Sequence, residues 1–230
     1  MGSGTFRLRI VYGKRGRLRW LSHLELTRSL ERGIRRAALP YAVTLGFNPR
    51  MRIAFGPALP VGTGAEQECV DVWLREYVPA QDALSRVQAS LPADLAPVRA
   101  VYVSDSEPSL SSGTHIGVYD VRVDGKEVRG DTILTALAKM RTAGELEVEH
   151  RGKTKVFDLA RSLPKEARAS ELDGGVVVTL AVRMSPEGSL RPDVLLSHVL
   201  HAAGIQGAVA KVTRTDTLTE LEEGAWSRPA

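Results

Sequence analysis

Twice along this chain a segment of alternating apolar residues leads into one with helical spacing, then a hairpin pattern, a strand, a second helix and a last strand. That recurring order limits the possible folds more than any single motif does. In the first pass Phe6–Tyr12 alternates Phe6, Leu8 and Ile10 with Arg7 and Arg9, which predicts a half-buried strand with a cationic face. Ser22 followed three residues later by Glu25 is a capping box, in which each side chain satisfies a backbone N–H at a helix start. Leu26, Leu30 and Ile34 then recur every fourth residue, Gly33 admits a close neighbour, and Pro40 ends the helix. Ala42–Leu45 and Met51–Phe55 read as a strand pair around Gly46-Phe47-Asn48-Pro49, with Gly56–Gly64 a loop. Glu68–Arg75, Pro79–Leu91 and Val98–Val103 follow as strand, helix and strand.

In the second pass Gly117–Val123 is a strand, and Asp131–Arg141 a helix capped by Asp131. Leu146–His150 and Thr154–Phe157 form a hairpin, Ala169–Leu172 a short strand and Val176–Arg183 a strong one. Arg191–Ala203 is a helix and Val209–Thr215 the last strand. This is the split βαβ order, so the expected fold is α+β, two tandem ferredoxin-like domains with antiparallel sheets. The Ser-rich stretch 104–114 reads as a linker between domains at 1–103 and 115–219, and 220–230 as a frayed tail.

Charge is unevenly spread. Between Met1 and Pro60 twelve Lys and Arg face only Glu25 and Glu31, a net of +10, while the whole chain is +4 and the remainder therefore −6. Such asymmetry implies a directed anionic partner. The single cysteine, Cys69, lies in a strand pattern, cannot form an internal disulfide and suits a reducing cytoplasm. No apolar run reaches the roughly 18 residues of a membrane span, and Met1–Thr5 lacks the charged start of a leader. Neither membrane nor secretion is expected.

The candidate anion or nucleic-acid contacts are Arg17, Arg19, His23, Arg28, Arg32, Phe47, Asn48, Arg50 and Arg52. Guanidinium groups grip phosphates, and an aromatic face (Trp20 or Phe47) stacks on a base. Phe47 has two roles open to it, a core plug of the hairpin or an exposed platform. His23, just inside the helix start, is either a contact to a bound anion or a packed histidine, and it is the general acid/base if the chain cuts RNA. His198 and His201 lie at i, i+3 without nearby Cys or carboxylates, so no metal is assigned.

The run RLRWLSHLELTRSLERGIRRAALPYAVTLGFNPRMRIAFGPALPVG, Arg17–Gly62, resembles the signature of the radical-SAM-associated proteins, a bacterial family of unknown function. The matching positions are Arg19, Ser22-His23-Leu24, Arg28, Arg35-Arg36, Pro40, Gly46-Phe47-Asn48-Pro49, Pro60 and Gly62. Weaker similarity reaches Asp158 and Gly188-Ser189-Leu190-Arg191-Pro192. Glu25 stands where the family usually has Asp, and Arg50 where a His is common, which weakens any role for a histidine in that loop. The resemblance implies a stand-alone accessory domain working with a radical SAM enzyme. With one cysteine, this chain holds no iron–sulfur cluster of its own, and no cofactor is expected in it.

The expected function is thus non-catalytic recognition of RNA or another anionic substrate for that partner. Two rivals stand beside it: an endoribonuclease similar in plan to those that process CRISPR repeats, with His23 catalytic, and a protein–protein adaptor of the radical enzyme.

Overall fold

A computed structural model describes residues 4–112, 115–150, 152–185, 188–221 and 225–229. The architecture is mixed α+β with antiparallel sheets, and the chain divides into two compact units, Met1–Gly113 with Arg228–Ala230, and Thr114–Ser227. Among the described residues no helix is long and apolar enough to cross a membrane.

The first unit runs β1 (Phe6–Lys14), a 3-10 helix (Gly16–Trp20), α1 (His23–Arg36), β2 (Ile53–Phe55), β3 (Thr63–Leu74), α2 (Ala80–Ser90), a 3-10 turn (Ala93–Leu95) and β4 (Pro97–Tyr102). Its strands lie in the order β4-β1-β3-β2, every neighbour antiparallel. The register pairs Leu8 with Val72 and Ile10 with Val70, so the even residues of both strands share one face. That face packs on Leu26, Leu30 and Ile34 of α1 and Ala83 and Val87 of α2 to form the core. The capping box forms as expected. Ser22 Oγ accepts from the Glu25 N–H, while the Glu25 carboxylate accepts from the Ser22 N–H at 2.8 Å. Gly33 is needed where it stands, because a Cβ there would lie 2.5 Å from Cδ2 of Leu91 at the end of α2.

The second unit runs β5 (His115–Asp124), α3 (Gly130–Ala143), β6 (Glu145–His150), β7 (Lys153–Asp158), α4 (Leu159–Ser162), β8 (Arg168–Leu172), β9 (Gly175–Met184), α5 (Pro192–Ala202), β10 (Ala208–Glu220) and β11 (Trp226–Ser227). Strands β10-β5-β9-β8 form an antiparallel sheet with the same order of elements as in the first unit. The β6–β7 hairpin is a separate two-stranded sheet inserted after α3. Tyr119, Val121, Val123, Val176, Val178 and Leu180 face Ile133, Leu137, Leu195 and Val199 in the second core.

Four expectations need correcting. Arg7 and Arg9 are not a solvated cationic face: both are buried and share the fully buried Asp71 of β3. Lys14 is buried too, its Nζ donating to the Leu21 carbonyl at 2.8 Å. Three of the twelve N-terminal cations are therefore interior, and the surface is less basic than the tally implies. The stretch expected as a linker packs on the first unit as far as Leu110, which is buried; Gly113 and Thr114 lie outside the described residues. Arg129, not Asp131, is the N-cap of α3, which leaves Asp131 in the first turn. The expected frayed tail contains β11, paired to Thr219 and Glu220, and Lys165 Nζ stands 3.8 Å over the Trp226 ring.

Candidate functional site

The nine candidate residues all lie in the first unit, and the fold sorts them into two groups. The 3-10 helix and α1 carry Arg17, Arg19, His23, Arg28 and Arg32. Because α1 buries Leu26, Leu30, Gly33 and Ile34, its arginines fall on the opposite, solvent side. Arg17, Arg28 and Arg32 are exposed, and Arg19 lies 5.1 Å over the ring of Trp20, itself largely exposed. The Arg19 carbonyl accepts from the Gly62 N–H, and Gly62 allows the Trp20 ring to lie close against the loop. His23 is exposed and meets Phe55 edge-on, with ring centroids 5.3 Å apart.

The second group is the loop carrying Phe47, Asn48 and Arg50, with Arg52 just beyond it. The loop is closed by a bridge between Val43 and Met51, by Thr44 N–H donating to the Arg50 carbonyl at 2.8 Å, and by Arg50 N–H donating to Thr44 Oγ1 at 3.1 Å. Ala42 and Met51 are buried at its base, whereas Leu45 and Phe47 at its tip are fully exposed. Phe47 is therefore exposed and not the core plug of the hairpin. Arg52 stacks 4.4 Å from the centroid of Trp73, and Arg7 approaches the same ring at 5.4 Å. Among the described residues no hydrogen bond, ion pair or ring contact joins Phe47, Asn48 or Arg50 to the arginines of α1.

Several carboxylates of this unit are already engaged. Glu25 is held by Ser22, whose hydrogen bonds pull its pKa below the usual value, Glu31 pairs with Arg35, and Glu66 pairs with Arg15. Among the described residues Arg17, Arg19, Arg28, Arg32 and Arg50 have no carboxylate partner. The unit thus offers exposed guanidinium groups without a carboxylate at ion-pair distance, and exposed aromatics, chemistry suited to phosphate and base contacts.

Sequence reasoning missed Trp73 and Asp71. Both lie on the sheet face away from the helices, opposite Arg7 and Arg9 in register. Two arginines at i, i+2 facing an Asp and a Trp at i, i+2 would signal the cluster, but only once the pairing of β1 with β3 is known. Among the described residues no group of three or more His, Cys, Asp or Glu could hold a metal. The His198 Nδ1 lies 2.9 Å from the Val194 carbonyl of its own helix. Burial pushes the Cys69 thiol up to about 11, far from the value of a reactive nucleophile.

A family model for uncharacterized proteins conserved in bacteria, DUF2344, matches residues 7–192. The chain is a DUF2344 protein. The match takes in every candidate residue. No curated protein matches the DUF2344 chain. It is similar in fold to a chain in the crystal structure of a Cbf5-Nop10-Gar1 complex, with 14% identity and a TM-score of 0.50 over 91% of this chain and 48% of that one. At that identity the likeness concerns fold alone, and the DUF2344 chain spans about half the length of its structural neighbour.

Proposed function

We propose that this DUF2344 chain is a non-catalytic accessory module that recognises RNA, or another substrate of the same anionic chemistry, for a partner radical SAM enzyme. One observation carries the reading: the outer face of α1 and the preceding 3-10 helix present arginines without an ion-pair partner among the described residues, Arg19 lies over the exposed Trp20, and Phe47 is exposed on a braced loop of the same unit. The radical enzyme enters through the resemblance of Arg17–Gly62 to the radical-SAM-associated proteins. The common strand order of the two units supports reading them as a duplicated ferredoxin-like pair. The module works without a cofactor of its own, and its single, unreactive thiol suits the cytoplasm.

The mechanism is electrostatic capture followed by stacking. Phosphates are drawn to Arg17, Arg19, Arg28 and Arg32, and bases stack on Trp20 or Phe47. If four phosphates are neutralised, affinity for a single strand falls with a log–log salt slope of about −2.8, roughly fifty-fold between about 50 and 200 mM salt. The test is fluorescence anisotropy of a labelled single-stranded RNA across that range. Arg28→Ala/Arg32→Ala should halve the slope. No binding at low salt, or a slope unchanged in the variant, would sink the reading. Cleaved RNA abolished by His23→Ala would make the chain a nuclease, although among the described residues His23 has no acid or base partner.

A further inference from the structure

Beside the exposed arginine face the first unit holds a cleft of about 300 Å³. Its floor is apolar: Leu18 of the 3-10 helix and Leu21 just after it, with Leu91 and Leu95 from the segment following α2. Its rim is α1, which contributes Ser29, Arg32 and Arg36. The wall position follows from Gly33, since Leu91 can lie against α1 only where the helix lacks a Cβ. None of the lining residues is acidic. Arg32 makes one long contact, Nη2 donating to Ser29 Oγ at 3.4 Å, and among the described residues Arg36 has no hydrogen bond or ion pair. The Ser90 hydroxyl is already engaged with the carbonyls of Gly33 and Val87.

Two guanidinium groups over a leucine floor select a particular chemistry. An apolar body alone would leave the arginines unused. A bare inorganic anion would leave the floor wet, and a polymer would overrun so small a volume. We infer that this cleft binds a small amphipathic anion: one phosphate, sulfonate or carboxylate held between Arg32 and Arg36, attached to a single ring system or short apolar chain that lies on Leu18, Leu21, Leu91 and Leu95. The site shares Arg32 with the RNA reading but does not depend on it, because Arg36 and the leucine floor take no part there. Two sources share the chemistry, a nucleoside monophosphate and a medium-chain carboxylate.

The probe is 8-anilinonaphthalene-1-sulfonate, which carries a sulfonate on an apolar ring system, titrated into the full chain and followed by its fluorescence. The expected result is saturable one-to-one binding. Arg36→Ala should weaken it at least about tenfold, the loss of one charge-assisted contact, and Arg32→Ala/Arg36→Ala should weaken it further. N-phenyl-1-naphthylamine, the uncharged analogue, should bind at least about tenfold more weakly than the sulfonate. Lys126→Ala, an exposed cation outside the cleft lining, should leave the affinity unchanged. Displacement by uridine 5′-monophosphate would identify the nucleotide source, and displacement by octanoate the carboxylate source. Absence of saturable binding, equal affinity for the neutral analogue, or binding indifferent to the double variant would each overturn the site. Failure of RNA binding while the probe still binds would remove the RNA reading and leave this one standing.

Discussion

Asp71 provides the sharpest test of how the first unit is held together. Its Oδ2 accepts from Arg7 Nε at 2.9 Å, Arg7 Nη2 at 2.6 Å and Arg9 Nη2 at 3.0 Å, and its Oδ1 from Arg9 Nε at 2.8 Å. Burial works to lower the Arg9 pKa, but the hydrogen bond and charge of Asp71 outweigh it and hold the group above its ordinary value. Asp71→Asn keeps the shape, removes the negative charge that both guanidinium groups share and points an amide at guanidinium donors. Stranding a buried charge costs about 3–5 kcal/mol. The lower figure applies, because Arg7 retains the carbonyls of Glu107 at 2.6 Å and Pro108 at 3.0 Å. With a urea m-value of about 2 kcal/mol/M, a loss of about 3 kcal/mol moves the unfolding midpoint down by about 1.5 M. The companion variant Arg7→Met/Arg9→Met/Asp71→Leu removes all three charges together and should regain most of that loss. A midpoint shift under about 0.5 M for Asp71→Asn, or a triple variant that falls equally far, would refute the stranded-charge argument.

Other outcomes follow from single residues. Gly33→Ala sets a Cβ against Leu91; overpacking of about 1–3 kcal/mol should exceed the roughly 1 kcal/mol gained in helix propensity, so thermal unfolding should show a net loss of stability. His115 is buried with neither ring nitrogen hydrogen-bonded among the described residues, and burial, aided by Arg214, lowers its pKa below 6.5. The unfolded chain therefore binds the proton more readily, so stability is full above pH 6.5 and is lost as pH falls through the folded value. Urea midpoints measured on either side of pH 6.5 should show that decline, and His115→Leu should flatten it. Cys69, with its thiol near 11, should react slowly with a disulfide reagent at pH 8 and completely in denaturant.

Much of the fold was legible because it rests on local signals. The Ser22–Glu25 box, the Leu26-Leu30-Ile34 spacing and the β-branched run in β9 each report an element without reference to its neighbours. The errors came where a partner distant in sequence decided the matter. Arg7 and Arg9 alternate with apolar residues just as solvent-facing residues do, and only pairing with β3 brings Asp71 to them. Asp131 is a good capping residue in isolation, yet α3 begins one residue earlier. The candidate site was legible as a set of residue types. Its division into a helix group and a loop group was not, because spacing in sequence does not report which exposed side chains share a surface.

The hold of Arg7 on the stretch after β4 has a consequence for variation in this family. Its guanidinium reaches the carbonyls of Ser104, Glu107 and Pro108, and so grips the main chain and no side chain. A main-chain grip is blind to composition but reads length. The stretch can drift toward Ser, Gly and Pro until it looks like a spacer, while losing or gaining one residue would slide the carbonyls out of reach. In DUF2344 proteins this segment should tolerate substitution far better than insertion or deletion, a clamp written in the vocabulary of a linker.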